Sequence, residues 1–128
     1  MWVLVATSIY IFMSFNIDQK LIFAVRGRNL ELVKERLAEG GNINHQDPKH
    51  GSALIAAINN DDVNLIQYLI ENGVDVNAEN KYGVVPIEVA LHHSTDEVVR
   101  LLAWSGARVK SKVRPHWQER LESCLRGN

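Results

Sequence analysis

Histidine, cysteine and carboxylate side chains are where chemistry would be sought first, and here they stand in few useful spacings. The chain holds five histidines and one cysteine. His92 and His93 are adjacent. On a helix, neighbours point about 100° apart, so this pair cannot ligate one metal unaided. His45 and His50 flank Asp47, a spacing open to a zinc site or to a solvated loop; the loop needs no further ligands. Cys124 lies beside apolar residues and reads as a small core side chain rather than a nucleophile. As the single cysteine it excludes a disulfide framework and a cysteine-based zinc cluster. Asp61-Asp62 and Asp96-Glu97 precede apolar-periodic stretches, where acids serve helix starts rather than metals. No G-x-S-x-G, glycine-rich phosphate loop or H-E-x-x-H occurs. The expectation is a chain that is not an enzyme and has no cofactor and no metal.

The elements that hold these residues follow a period of 33. Gly40, Gly73 and Gly106 coincide on that shift, as do Ile43, Val76 and Val109. Leu21, Leu54 and Ile87 form a second column, Ala24, Ala57 and Ala90 a third, Val33, Ile66 and Val99 a fourth. A self-match at fixed period predicts a stacked solenoid whose units bury their apolar faces only against one another. The segment Gly83-Val84-Val85-Pro86-Ile87-Glu88-Val89-Ala90 stands where ankyrin repeats have G-x-T-P-L-H-x-A, and residues 61–78 follow the second half of that repeat. On these residues the chain resembles the ankyrin-repeat family over about residues 16–112. His50 departs from the turn glycine of that pattern, with Gly51 one place late, and Ser52-Ala53 replace the threonine-proline pair. The resemblance implies an all-α solenoid of paired antiparallel helices joined by β-turn loops, with repeats at about 16–46, 47–79 and 80–112.

In chain order, residues 1–15 are almost wholly apolar and carry no charge. They lack the basic n-region of a signal peptide and fall short of the ~20 residues that span a bilayer. Three readings compete: a segment outside the fold with Met13 as the start, a membrane or export segment, and an element covering the first repeat. The spacing then predicts a helix capped by Asp18 through Arg26, and a second from Asn29 to Gly40. Arg36, in the column of Leu69 and Leu102, suits a first repeat whose outer face meets water. Further on, helices are expected at Ala53–Asn59 and Val63–Asn72, at the Pro86 turn, and after Thr95. Pro115 opens a last amphipathic stretch with Trp117, Leu121 and Leu125 at i, i+4 and i+8, expected as a C-terminal capping helix over 115–126 or as a free helix for a partner.

Net charge is −1, with no global pull toward nucleic acid or acidic membranes. Residues 107–128 nevertheless carry six basic and two acidic side chains. Arg108, Lys110, Lys112 and Arg114 alternate, so an extended segment would present all four on one side, as an edge for an acidic protein or simply a solvated one; specific nucleic-acid binding is not expected.

The family resemblance implies partner binding on a concave face made of turn tips and inner-helix ends. By register these are Arg26 in the first repeat; Pro48, Lys49, Asn59 and Asn60 in the second; and Lys81, Tyr82, Val84, His92 and His93 in the third. Tyr82 is either an interface anchor or an aromatic packed on the neighbouring turn. The function expected is a protein–protein interaction module, monomeric and cytoplasmic, binding a protein partner. A sharper form is a bacterial toxin-neutralising immunity or inhibitor protein. The alternative is a membrane-tethered adaptor anchored by the apolar N-terminus.

Overall fold

The computed structural model describes residues 15–110 and 115–127. Seven helices and one short hairpin occur among the described residues: α1 (Ile17–Arg26), α2 (Leu30–Ala38), β1 (Gln46–Asp47), β2 (Gly51–Ser52), α3 (Ala53–Asn59), α4 (Val63–Glu71), α5 (Pro86–His93), α6 (Asp96–Trp104) and α7 (Pro115–Arg126). The hairpin is antiparallel, with Gln46 opposite Ser52 and Asp47 opposite Gly51. Inner helices α1, α3 and α5 stack in sequence order, and α7 packs on α6 and α5. Of the apolar stretch 1–15, to which the competing readings attach, all but Phe15 lies outside the described residues; no described helix is long and apolar enough to cross a membrane.

Five of the described helices begin where a side chain accepts an orphan N–H, whereas α5 follows Val85 and opens on Pro86, which has no N–H to satisfy. The outer helices are capped in register: Asn29 accepts from the N–H of Leu32, Asp62 from Leu65 and Thr95 from Val98. The start of α1 differs from expectation. Asn16, not Asp18, is its cap, because Gln19 three residues on completes a reciprocal capping box. Asp18, in the first turn, instead accepts the N–H of Asn42 at 2.7 Å. Helix α4 ends one residue earlier than its apolar pattern, at Glu71, where Asn72 is the cap and Gly73, at φ 86°, makes the turn that side-chain-bearing residues resist.

The 33-residue columns become layers of the core. Leu21, Leu54 and Ile87 are buried, as are Val33, Ile66 and Val99. Full burial of such side chains contributes about 1.5–3 kcal/mol each. Between them Ala24, Ala57 and Ala90 are also buried, small enough for the inner helices to stack closely. Arg36 is half-buried in the first repeat and pairs with Glu39 at 2.7 Å, whereas Leu69 and Leu102 in the same column are fully buried. In α7 the inward stripe is Cys124, buried, with Trp117 and Leu121 partly buried against the core, while Leu125 is 47% exposed. At 3.6 residues per turn i+7 returns to within about 20° of i, and i+8 swings about 80° away, so the expected Leu125 leaves the stripe.

Polar side chains fasten one repeat to the next. Asn44 accepts the N–H of Asp75 at 2.7 Å, and its counterpart Asn77 accepts that of Arg108 at 2.8 Å while donating to Gly106 O at 3.1 Å. The preceding place in this column is Ile11, which has no polar side chain; Asp18 supplies the acceptor for Asn42 instead. Arg120 of α7 donates to Leu91 O at 2.6 Å and Ser94 O at 2.5 Å, satisfying carbonyls at the end of α5 with a cation. Arg100 does the same for Cys124 O at 3.1 Å.

Candidate protein-binding face

Two turn tips project beyond the inner helices, and each is shaped by one side chain. Asp47 accepts the N–H of Lys49 at 3.0 Å and of His50 at 2.7 Å. One period later Asn80 accepts the N–H of Tyr82 at 2.9 Å and of Val84 at 3.0 Å. A short acceptor side chain bonding its own backbone two to four residues on replaces a backbone turn and holds the tip in one conformation. Asp47 is buried. Burial alone would raise its carboxyl pKa, but the His50 N–H, the Gln19 amide and the Lys49 N–H outweigh it, so the pKa is held below the usual carboxylate value.

Behind these tips run two cavities of about 380 Å³ each. The first is lined by Arg26, Lys49, His50, Ala56, Asn59 and Asn60, between the end of α1 and the hairpin tip. The second lies between the hairpin and the next turn, with Pro48, Lys49, Lys81 and Tyr82 among its walls. Lys49 lines both, so the two clefts adjoin at that side chain and are together called the groove. Arg26 donates to the His50 ring at 2.7 Å, and Phe23 meets that ring edge-to-face at 5.1 Å. Lys81 Nζ donates to Pro48 O at 3.0 Å, bridging the tips, and sits 5.2 Å from the Tyr82 ring centroid. Tyr82 is 77% exposed, the most open large apolar side chain among the described residues.

The groove thus gathers Arg26, Pro48, Lys49, Asn59, Asn60, Lys81 and Tyr82 from three repeats. Asn60 is partly spent on the scaffold, since its side-chain amide donates to Arg26 O and its backbone carbonyl accepts from the Arg28 guanidinium. Val84 is half-buried beneath the tip. His92 and His93 are exposed at the end of α5 but line neither cavity; the rings lie 4.2 Å apart, and His92 stacks edge-on against Trp117 at 5.7 Å. His45 faces Asp18 at 3.6 Å while His50 faces Arg26, so the two loop histidines have different neighbours. No group of three or more potential metal ligands occurs among the described residues.

The alternating basic edge is not free along its length. Lys110 pairs with Glu79 at 2.7 Å, and its N–H donates to Glu88 at 3.3 Å. Arg108 is exposed, and Lys112 and Arg114 lie outside the described residues. Cys124 is buried, and burial and then the nearby Asp96 push its thiol pKa up, away from the reactive thiolate. Sequence reasoning missed Asp47 and Asn80 as the residues that shape the site. The signal was present in the period, since the two are 33 apart and each stands just before a tip.

Stacked two-helix units carrying a groove across their turn tips define a repeat scaffold for binding. An ankyrin-repeat model matches three copies over residues 21–113, and the chain belongs to the ankyrin-repeat family, whose repeats are protein–protein interaction modules. Among curated relatives it is similar to the potassium channel AKT1 of Arabidopsis thaliana, 30% identical over 57% of this chain and 8% of the relative. It is 35% identical to the E3 ubiquitin-protein ligase KEG of Arabidopsis thaliana over 60% of this chain and 5% of the relative. It is 42% identical to the 2-5A-dependent ribonuclease of Homo sapiens over 42% of this chain and 7% of the relative. The chain spans less than a tenth of each. A channel, a ligase and a ribonuclease thus match over a small part of their length, so the likeness carries none of their activities here.

Proposed function

We propose that the chain is a non-catalytic binding module that takes one protein partner in the groove between its turn tips and inner-helix ends. The observation that carries this reading is Tyr82, 77% exposed beside the Pro48–Lys81 bridge, at the mouth of a groove shared by neighbouring repeats. An exposed tyrosine presents large area and a hydroxyl at low entropic cost, the profile of an interface anchor. No described residue at the groove is specific to a toxin inhibitor or to a membrane tether, and the reading stops at a protein partner.

The test is a pull-down from native extract with the full chain beside a Tyr82→Ala, Lys81→Ala double substitution. Both side chains project from a tip whose backbone is held by Asn80, so the fold should persist. A single stoichiometric partner retained by the wild type and lost by the double substitution is the expected result. A partner retained equally by both would move the interface away from the groove.

A further inference from the structure

The groove has a charge unlike that of the chain. Over 128 residues the net charge is −1, yet among the described residues the first cavity is walled by Arg26, Lys49 and His50 with no carboxylate in its lining. The nearby acids are turned to other work. Asp47 is buried and committed to the N–H groups of Lys49 and His50, Asp61 accepts the Ser94 hydroxyl, and Asp62 caps α4. Arg26 has one guanidinium nitrogen on the His50 ring, and among the described residues neither it nor Lys49 meets a carboxylate. A guanidinium steadied along one side, with an ammonium lining the same cavity of about 380 Å³, is suited to charge-assisted bonds with an incoming carboxylate. The adjoining cavity adds carbon surface from Pro48 and the Tyr82 ring, and its walls hold Lys49 and Lys81 beside Asp47, whose carboxylate is already bonded to backbone N–H groups.

Resting on the partner-binding reading above, we propose that the groove selects an extended acidic segment of its protein partner. An Asp or Glu side chain seats between Arg26 and Lys49, and a nearby apolar side chain lies against Pro48 and Tyr82. Charge complementarity chooses this occupant: a cationic groove in a slightly acidic protein discriminates against basic and neutral segments and steers acidic ones inward.

The experiment is selection of a random dodecapeptide display library on the immobilised full chain, with anisotropy titration of the recovered peptides. Wild type should enrich peptides carrying Asp or Glu next to an apolar residue. Their affinity should fall about tenfold or more in Arg26→Gln, Lys49→Gln, and should weaken with added salt. Should the double variant fold poorly, Lys49→Gln alone serves, because its ammonium holds no bond within the described residues, and a loss of about threefold or more is then expected. Peptides that depend on Lys81 and Tyr82 but carry no acidic enrichment would overturn the acidic preference while leaving the binding groove intact. Peptides indifferent to both pairs, or no enrichment at all, would overturn the acidic preference and the groove reading together.

Discussion

Leu69 is the most direct test of the stacked core. It lies on α4 in the column shared with Arg36 and Leu102, and its side chain is wholly buried. Leu69→Ala removes three carbons, worth about 2.4 kcal/mol at about 0.8 kcal/mol per buried methylene. A residual void of roughly 40 Å³ would add about 1 kcal/mol at about 24 cal/mol per Å³. The expected loss is therefore about 3–3.5 kcal/mol, a large fraction of the stability of a small domain. With a urea slope of about 1.5 kcal/mol/M, the unfolding midpoint should drop by about 2 M. Urea titration followed by far-UV circular dichroism reads this directly. Leu125→Ala is the control, since Leu125 is 47% exposed on α7, and it should cost under about 0.5 kcal/mol. A Leu69→Ala midpoint indistinguishable from wild type, or a larger loss in Leu125→Ala, would refute the assignment of these columns to the core.

Three further outcomes are expected. Arg120→Ala should lower stability by about 1–3 kcal/mol in thermal melts, because the Leu91 and Ser94 carbonyls lose a charged donor; Arg120→Lys should recover only part of that, lacking the planar fork. Asn77→Ala should cost about 1–2 kcal/mol and speed hydrogen exchange at the Arg108 N–H, which Asn77 accepts, without touching amides in α1. The Asp47 carboxyl has a lowered folded pKa, so its contribution is present above the unfolded value of about 3.9 and is lost as pH falls through the folded one. The stability gap between wild type and Asp47→Asn should hold from pH 7 to about 5 and close in stronger acid; a gap that widened on acidification would reverse the sign of this argument.

Much of the scaffold was legible because a repeat states its rules several times. One apolar residue in a column is weak testimony, but Leu21, Leu54 and Ile87 at equal spacing point to one buried layer, and all three are buried. Asn29, Asp62 and Thr95 were readable as caps for the same reason. Reading failed where the period fails. Asp18 has the residue type of a cap, but Gln19 pairs back to Asn16 and gives Asn16 that place; Leu125 falls one residue past the i+7 position that Cys124 takes in the stripe.

The sequence by itself determined the repeat, the family, the paired helices and the turns between them, since these depend on local periodicity and short-range capping. Only the tertiary structure decided how those tips are charged. Arg26 and His50 are 24 residues apart and meet at 2.7 Å, while Lys110, equally basic in the sequence, is neutralised by Glu79 across a turn. Net charge sums every side chain alike. The field in a groove depends on which acids the fold has already turned inward.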